Sequence, residues 1–227
     1  MNVSENLKKL RDELPDEIKL VAVAKTKPEE IIMEAYNAGH KIFGENIVQE
    51  LVKKYENLPK DIEWHMVGHL QTNKVKYIAP FISLIHSVDS LKLLNTIDKE
   101  ASKNNRIIDC LLQLRIAKEE TKFGLTFEEI RDIISLKEFK ELKNFRLTGL
   151  MGMATFTKDE AIITSEFNYL AKCFYELKNT FYKDSEYFRE LSMGMSDDYH
   201  MAIQAGSTMV RIGSLIFGAR DKCSLLV

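Results

Sequence analysis

The chain has 227 residues, 45% of them apolar and 29% charged, which predicts one compact domain with a large core rather than a disordered or fibrous chain. Its 32 Lys and Arg against 34 Asp and Glu leave a formal charge of −2, so no electrostatic excess draws it onto nucleic acid or anionic lipid, and neither is expected as a partner. Three cysteines, Cys110, Cys173 and Cys223, are too few and too scattered for a disulfide framework or a metal knuckle, and fit a reducing, cytoplasmic setting.

The first segment, MNVSENLKKLRDEL, carries charges every few residues and reads as an amphipathic helix rather than a secretory leader. No stretch approaches the length of apolar sequence that a membrane span needs. Short β-rich runs then recur: from Ile18, Lys41, Ile62, Ser83, Ile107, Phe145, Arg189 and Thr208, with helical patterns between them. They are continuous rather than alternating, as expected of strands buried on both faces of a parallel sheet. Pro28 near the start of one helix and Gly39 after it mark its ends. Thr126 with Glu129, and Thr157 with Glu160, have capping-box spacing. Ile163, Phe167, Leu170, Phe174 and Leu177 form one apolar stripe, with Cys173 on it.

Eight strands alternating with helices allow a closed barrel or an open doubly wound sheet. The residues after the first strand are Lys25-Thr26-Lys27-Pro28 rather than a glycine-rich turn, which favours a single-domain α/β fold, a (β/α)8 TIM barrel with an extra N-terminal helix, over residues 1–227. Barrel chemistry sits just past the C-terminal ends of the strands. That selects Lys25 and Lys27, Glu45 and Asn46, His65 and His69, Ser87 and Asp89, Ser192, and Arg211, Gly213 and Ser214.

Lys25 leaves a buried strand, where desolvation favours the neutral amine that condenses with carbonyl compounds or pyridoxal phosphate; a solvated lysine flanking a helix is the bland alternative. The segments from Ser192 to Asp198 and from Ser207 to Ser214 run from strand through small residues into a helix start, the arrangement that cradles phosphate after strands seven and eight. Ser196 doubles as a candidate N-cap and Gly206 as a helix end, and the adjoining acids Asp197 and Asp198 place more weight on Gly213 and Ser214, with Ser192 reaching across. Arg211, inward by strand alternation, is placed to meet a pyridine nitrogen, or to pair with a carboxylate.

At these residues the sequence resembles the pyridoxal phosphate homeostasis proteins, relatives of the N-terminal barrel of alanine racemase. The carrying segments are VAVAKTKP, FGENIVQE, WHMVGHLQTNK, HSVDS, EETKFGL, GLM, SMGMSDDYHMAI and GSTMVRIGSLIFGAR. The resemblance implies that Lys25 forms the internal aldimine, Arg211 contacts the ring nitrogen, and Ser192, Gly213 and Ser214 hold the phosphate, with Ser196 beside them. Asn46 would line the ring and Met153 lie near its face. It further implies intracellular handling of vitamin B6, with transient transfer of the cofactor to enzymes that use it; a monomer or weak dimer is expected, and little amino-acid turnover, because Arg211 can only donate and a pyridine nitrogen facing it would stay unprotonated. Arg115 stands where many relatives resemble Q-V-N, and Ser214 where threonine is frequent.

Two other classes compete. One is an amino-acid racemase or lyase using Lys27, Tyr199 or His200 as base. The other is a metal or phosphosugar barrel, disfavoured because His65 and His69 lie off a helix.

Overall fold

The computed structural model describes residues 2–117 and 123–218. Glu119 to Lys122 of the EETKFGL segment, Ala219, Arg220 and Cys223 lie outside the described residues. Eight parallel strands close on themselves in sequential order: β1 Lys19–Val23, β2 Ile42–Glu45, β3 Glu63–Met66, β4 Leu84–Val88, β5 Ile108–Gln113, β6 Phe145–Met151, β7 Glu190–Ser192 and β8 Met209–Ile212, with β8 returning to β1. Seven lie within the apolar run expected for them, β2 runs one residue past its KIFG run to include Glu45, and β4 is buried along its whole length. The connecting helices are α2 Glu29–Asn37, α3 Val48–Asn57, α4 Val75–Ile78, α5 Leu91–Lys103, α6 Phe127–Ser135, α7 Lys137–Glu141, α8 Glu160–Thr180, α9 Tyr199–Gln204 and α10 Ser214–Phe217. The expected extra helix, α1 Val3–Glu13, precedes them, capped by Asn2 and seated by buried Val3, Leu7 and Leu10. Its Asn6 side chain donates to the Ile216 carbonyl of α10 at 3.0 Å.

The core has two layers, as the inside and outside of a barrel wall require. Val21, Val67, Leu84, Leu111, Met151 and Met209 pack inside the strands. Between strands and helices lies a larger layer that includes Trp64, Phe43 and the whole Ile163–Leu177 stripe of α8. The N-terminal mouth is tied by ion pairs, Arg146 to both oxygens of Asp109 at 2.7 and 2.9 Å and Lys19 to Glu190. The opposite mouth is left for chemistry.

Helix signals are met in part. Thr126 and Glu129 form the reciprocal capping box, and Gly39 and Gly206 follow their helices at φ of +86° and +97°. Thr157 is not the cap of α8: Asp159, closer to the helix, accepts the N–H groups of Ala161 and Ile162, while the Thr157 hydroxyl accepts from Asp159 N. Nor does Ser196 cap α9, which begins after Asp198, whose carboxylate turns back to accept Met195 N–H at 2.5 Å.

In β6 the pairing with β5 skips one residue, Thr148, and Gly149 follows at φ +156°. A Cβ at Gly149 would stand 1.7 Å from the Glu190 carbonyl oxygen, in the backbone of β7. Gly149→Ala is expected to force the two strands apart at a cost well above about 2 kcal/mol, measured as a fall in the denaturation midpoint. A variant as stable as the parent would refute this reading of the bulge.

Candidate functional site

Loops at the C-terminal mouth enclose a cavity of about 640 Å³. Lys25 and Lys27 reach it from the β1–α2 loop, Asn46 from β2–α3, Met153 to Thr157 from β6–α8, Met195 to Asp198 from β7–α9, and Gly213, Ser214 and Gly218 from the β8–α10 region. Arg211 contributes from within β8. Of the eight expected cofactor-binding residues, seven therefore line one cavity, and Ser192 does not.

Ser192 is the last residue of β7, fully buried inside the barrel, and accepts a hydrogen bond from Arg211 Nη1 at 2.7 Å. Arg211 Nη2 donates to the Gly152 carbonyl at 3.0 Å. Strand alternation turns both side chains inward, so the serine is a support for the guanidinium rather than part of the cavity wall. Below it, His86 Nδ1 lies 2.9 Å from Ser192 Oγ and His86 Nε2 lies 3.0 Å from His65 Nδ1. One direction of donation satisfies this column: Arg211 to Ser192, Ser192 to His86, His86 to His65, with both imidazoles neutral. Burial is the main cause that holds both rings in that state, His65 lowered to about 3 with Lys19 adding to it, and His86 well below its ordinary value with His65 and Arg211 adding to it. Burial also lowers Arg211 to about 10, which leaves it charged at neutral pH.

His40, outside the barrel wall, is neutral for a similar reason. Arg11 donates to its Nδ1 at 3.0 Å, its Nε2 donates to the Ile42 carbonyl at 2.8 Å, and burial lowers it to about 4. A histidine depressed on folding contributes stability above its unfolded pKa and loses it as pH falls toward the folded value. Unfolding free energy is therefore expected to drop as pH falls from about 6.5 to 4, at roughly 1.4 kcal/mol per unit for each such histidine. Denaturant titrations across that range test this, and a flat profile would contradict it.

The remaining candidates separate. Ser87 donates to the Gly68 carbonyl at 2.5 Å, and His69 pairs with Asp89 at 3.2 Å while stacking on Phe123, so these are structural contacts outside the cavity. Among the described residues, no cluster of three metal-ligating side chains occurs. Neither Tyr199 nor His200 lines the cavity, and the Tyr199 hydroxyl donates to Glu13 of α1 at 3.1 Å. Lys27 remains at the rim. Sequence reasoning missed Thr155, whose N–H and hydroxyl are both held by Glu166 at 2.6 and 2.7 Å, and Phe156, an apolar ring 88% exposed on the rim. Glu166 interrupts an apolar stripe and is nonetheless buried, the one local sign of this anchor. Asp198 is buried beside the cavity, which pushes its carboxyl up.

An amine on one wall, a charged guanidinium bonded to neutral oxygens in the floor, and hydroxyls beside the start of α10 make a donor set for a flat ligand with a carbonyl, a ring acceptor and an anionic group. The first turn of a helix leaves N–H groups unpaired for such an anion.

The alanine racemase N-terminal domain family model matches residues 1–221. The pyridoxal phosphate homeostasis protein of Aquifex aeolicus is 42% identical over 203 residues, covering 89% of this chain and 87% of that protein. The chain belongs to this family. The Escherichia coli member is 35% identical with 97% of each chain covered. Among solved structures, PipY of Synechococcus elongatus with pyridoxal phosphate bound is 34% identical, with a TM-score of 0.83 over 95% of this chain and all of PipY. Alanine racemase of Clostridium difficile shares the fold at a TM-score of 0.75 and 14% identity, and this chain covers 56% of it. No helix among the described residues is long and apolar enough to cross a membrane.

Proposed function

We propose that this protein binds pyridoxal 5′-phosphate covalently through Lys25 and serves intracellular vitamin B6 homeostasis, holding and releasing the cofactor with little or no turnover of amino acids. The observation that carries this reading is the convergence of Lys25, Arg211, Ser196, Gly213 and Ser214 on one cavity, in a chain whose relative PipY is described with that cofactor. Lys25 would hold the cofactor's aldehyde as a reversible imine, a condensation that releases one water and needs no oxidant or reductant. Ser196, Ser214 and the backbone from Gly213 hold the phosphate, and Asn46 and Met153 border the ring. Gly213 sits where a Cβ would be 3.1 Å from the Val23 carbonyl, so Gly213→Val is expected to disturb both the β1 contact and the phosphate seat and to weaken cofactor retention.

Arg211 decides what the bound cofactor does. A guanidinium only donates, so a ring nitrogen held against Arg211 would accept and carry no proton, and the ring would be a weak electron sink. The cavity also lacks the Tyr199 and His200 side chains that a racemase or lyase reading would use. Coupled assays over a panel of amino acids are expected to show negligible turnover. Rates in the ordinary enzyme range of roughly 1–1,000 per second would overturn the carrier reading. We read the whole chain as a single cytoplasmic binding unit, acting as a monomer or weak dimer that passes its cofactor transiently to enzymes that require it.

A further inference from the structure

Lys25 lies in an unusual turn. The Ala24 carbonyl accepts the Lys27 N–H at 3.0 Å, which places Lys25 and Thr26 at the two central positions, and Thr26 has φ +62°. The third position of such a turn is ordinarily glycine or asparagine; for a β-branched residue the conformation stores about 1–3 kcal/mol and persists only where surrounding bonds impose it.

Those bonds come from a cluster just outside the cavity. Lys54 of α3 is buried, donates to the Ala24 carbonyl at 2.9 Å and to Glu45, and stands 3.6 Å from Glu50. Glu50 accepts the Thr26 N–H at 3.0 Å. Glu45, fully buried at the end of β2, also accepts the N–H of Asn46 at 3.3 Å. The residues on both sides of Lys25 are thus held by one ammonium and its carboxylate, and the same cluster reaches Asn46 on the next loop. None of Lys54, Glu45 and Glu50 lines the cavity. Buried charges of this kind contribute no more to stability than apolar residues of similar volume, so stability alone does not explain a charged cluster at this turn.

We propose that Lys54, with Glu45 and Glu50, positions Lys25: the cluster imposes the strained Ala24–Lys27 turn that presents the amine for covalent bonding, without touching the cofactor. The inference rests on Lys25 as the covalent residue. The test compares two ligands on cofactor-free protein, pyridoxal 5′-phosphate and pyridoxine 5′-phosphate, which has the same ring and phosphate and no aldehyde. In Lys54→Met/Glu45→Gln, which leaves no lone buried charge, covalent binding read from the visible absorption band is expected to weaken by about tenfold or more. Pyridoxine 5′-phosphate binding by calorimetry is expected to stay at the parent value. Adding Thr26→Gly, which adopts the turn without support, is expected to restore most of the loss. An unchanged band, or equal weakening for both ligands, overturns the positioning role. Should the double variant fail to fold, Glu50→Ala on the more exposed side is expected to give the same selective loss at smaller size, and no selectivity there overturns it too. A parent protein that never forms the covalent bond is a separate outcome and sinks the Lys25 assignment itself.

Discussion

Lys25→Ala protein mixed with excess pyridoxal 5′-phosphate is expected to develop no visible absorption band, while its unfolding free energy stays within about 1 kcal/mol of the parent. The side chain is only partly buried, so its removal opens no core cavity. What disappears is the amine that the end of β1 places first on the cavity wall. Residual binding through the phosphate seat and Arg211 is noncovalent, and retention during dialysis is expected to fall by at least about a hundredfold, the equivalent of about 2.7 kcal/mol. A coloured variant would assign the bond to another amine, with Lys27 at the same rim the first to examine.

Arg211→Glu is expected to have the second largest effect. The substitution replaces a donor by an acceptor at a site 5% exposed. Ser192 can reverse its hydroxyl, but the Gly152 carbonyl, now held at 3.0 Å, would face a carboxylate instead of a guanidinium. A buried group left in this state costs about 3–5 kcal/mol. A buried carboxyl with no cation beside it has a raised folded pKa. Its contribution is therefore least harmful below the ordinary glutamate value near 4.3 and worsens as pH rises above it. The buried histidines are common to both proteins, so protonation of the introduced carboxyl is what narrows the gap between them as pH falls. Denaturation midpoints between pH 4 and 8 check this, together with a weakened hold on the cofactor ring. A gap that stayed constant across the range would mean that the side chain had escaped to solvent and that the floor is not as rigid as described.

Which features were legible in the sequence follows from the range of the interactions behind them. The eight strands were legible because burial on both faces demands unbroken apolar runs, and β6 matches its run from Phe145 to Met151. Lys25, Asn46, Gly213 and Ser214 were legible because a parallel barrel delivers whatever follows a strand to one mouth. Ser192 stands apart from the other candidates because β7 ends on it and alternation turns it inward, while Ser196 four residues later has reached the loop and the cavity. The start of α8 was set by Asp159 because a carboxylate two residues nearer the helix outcompetes the threonine. The Lys54, Glu45 and Glu50 cluster and the His65–His86–Ser192–Arg211 column had no local signature, since their partners are brought together only by closure of the barrel.

The most direct measurement is reduction of the cofactor-loaded protein with borohydride, followed by proteolysis and mass spectrometry. The peptide that contains Lys25 is expected to carry the mass of one reduced pyridoxyl phosphate, with no other lysine modified in stoichiometric amount. Recovery of that peptide unmodified, or of the label spread over surface lysines, would contradict covalent capture at the mouth of the barrel.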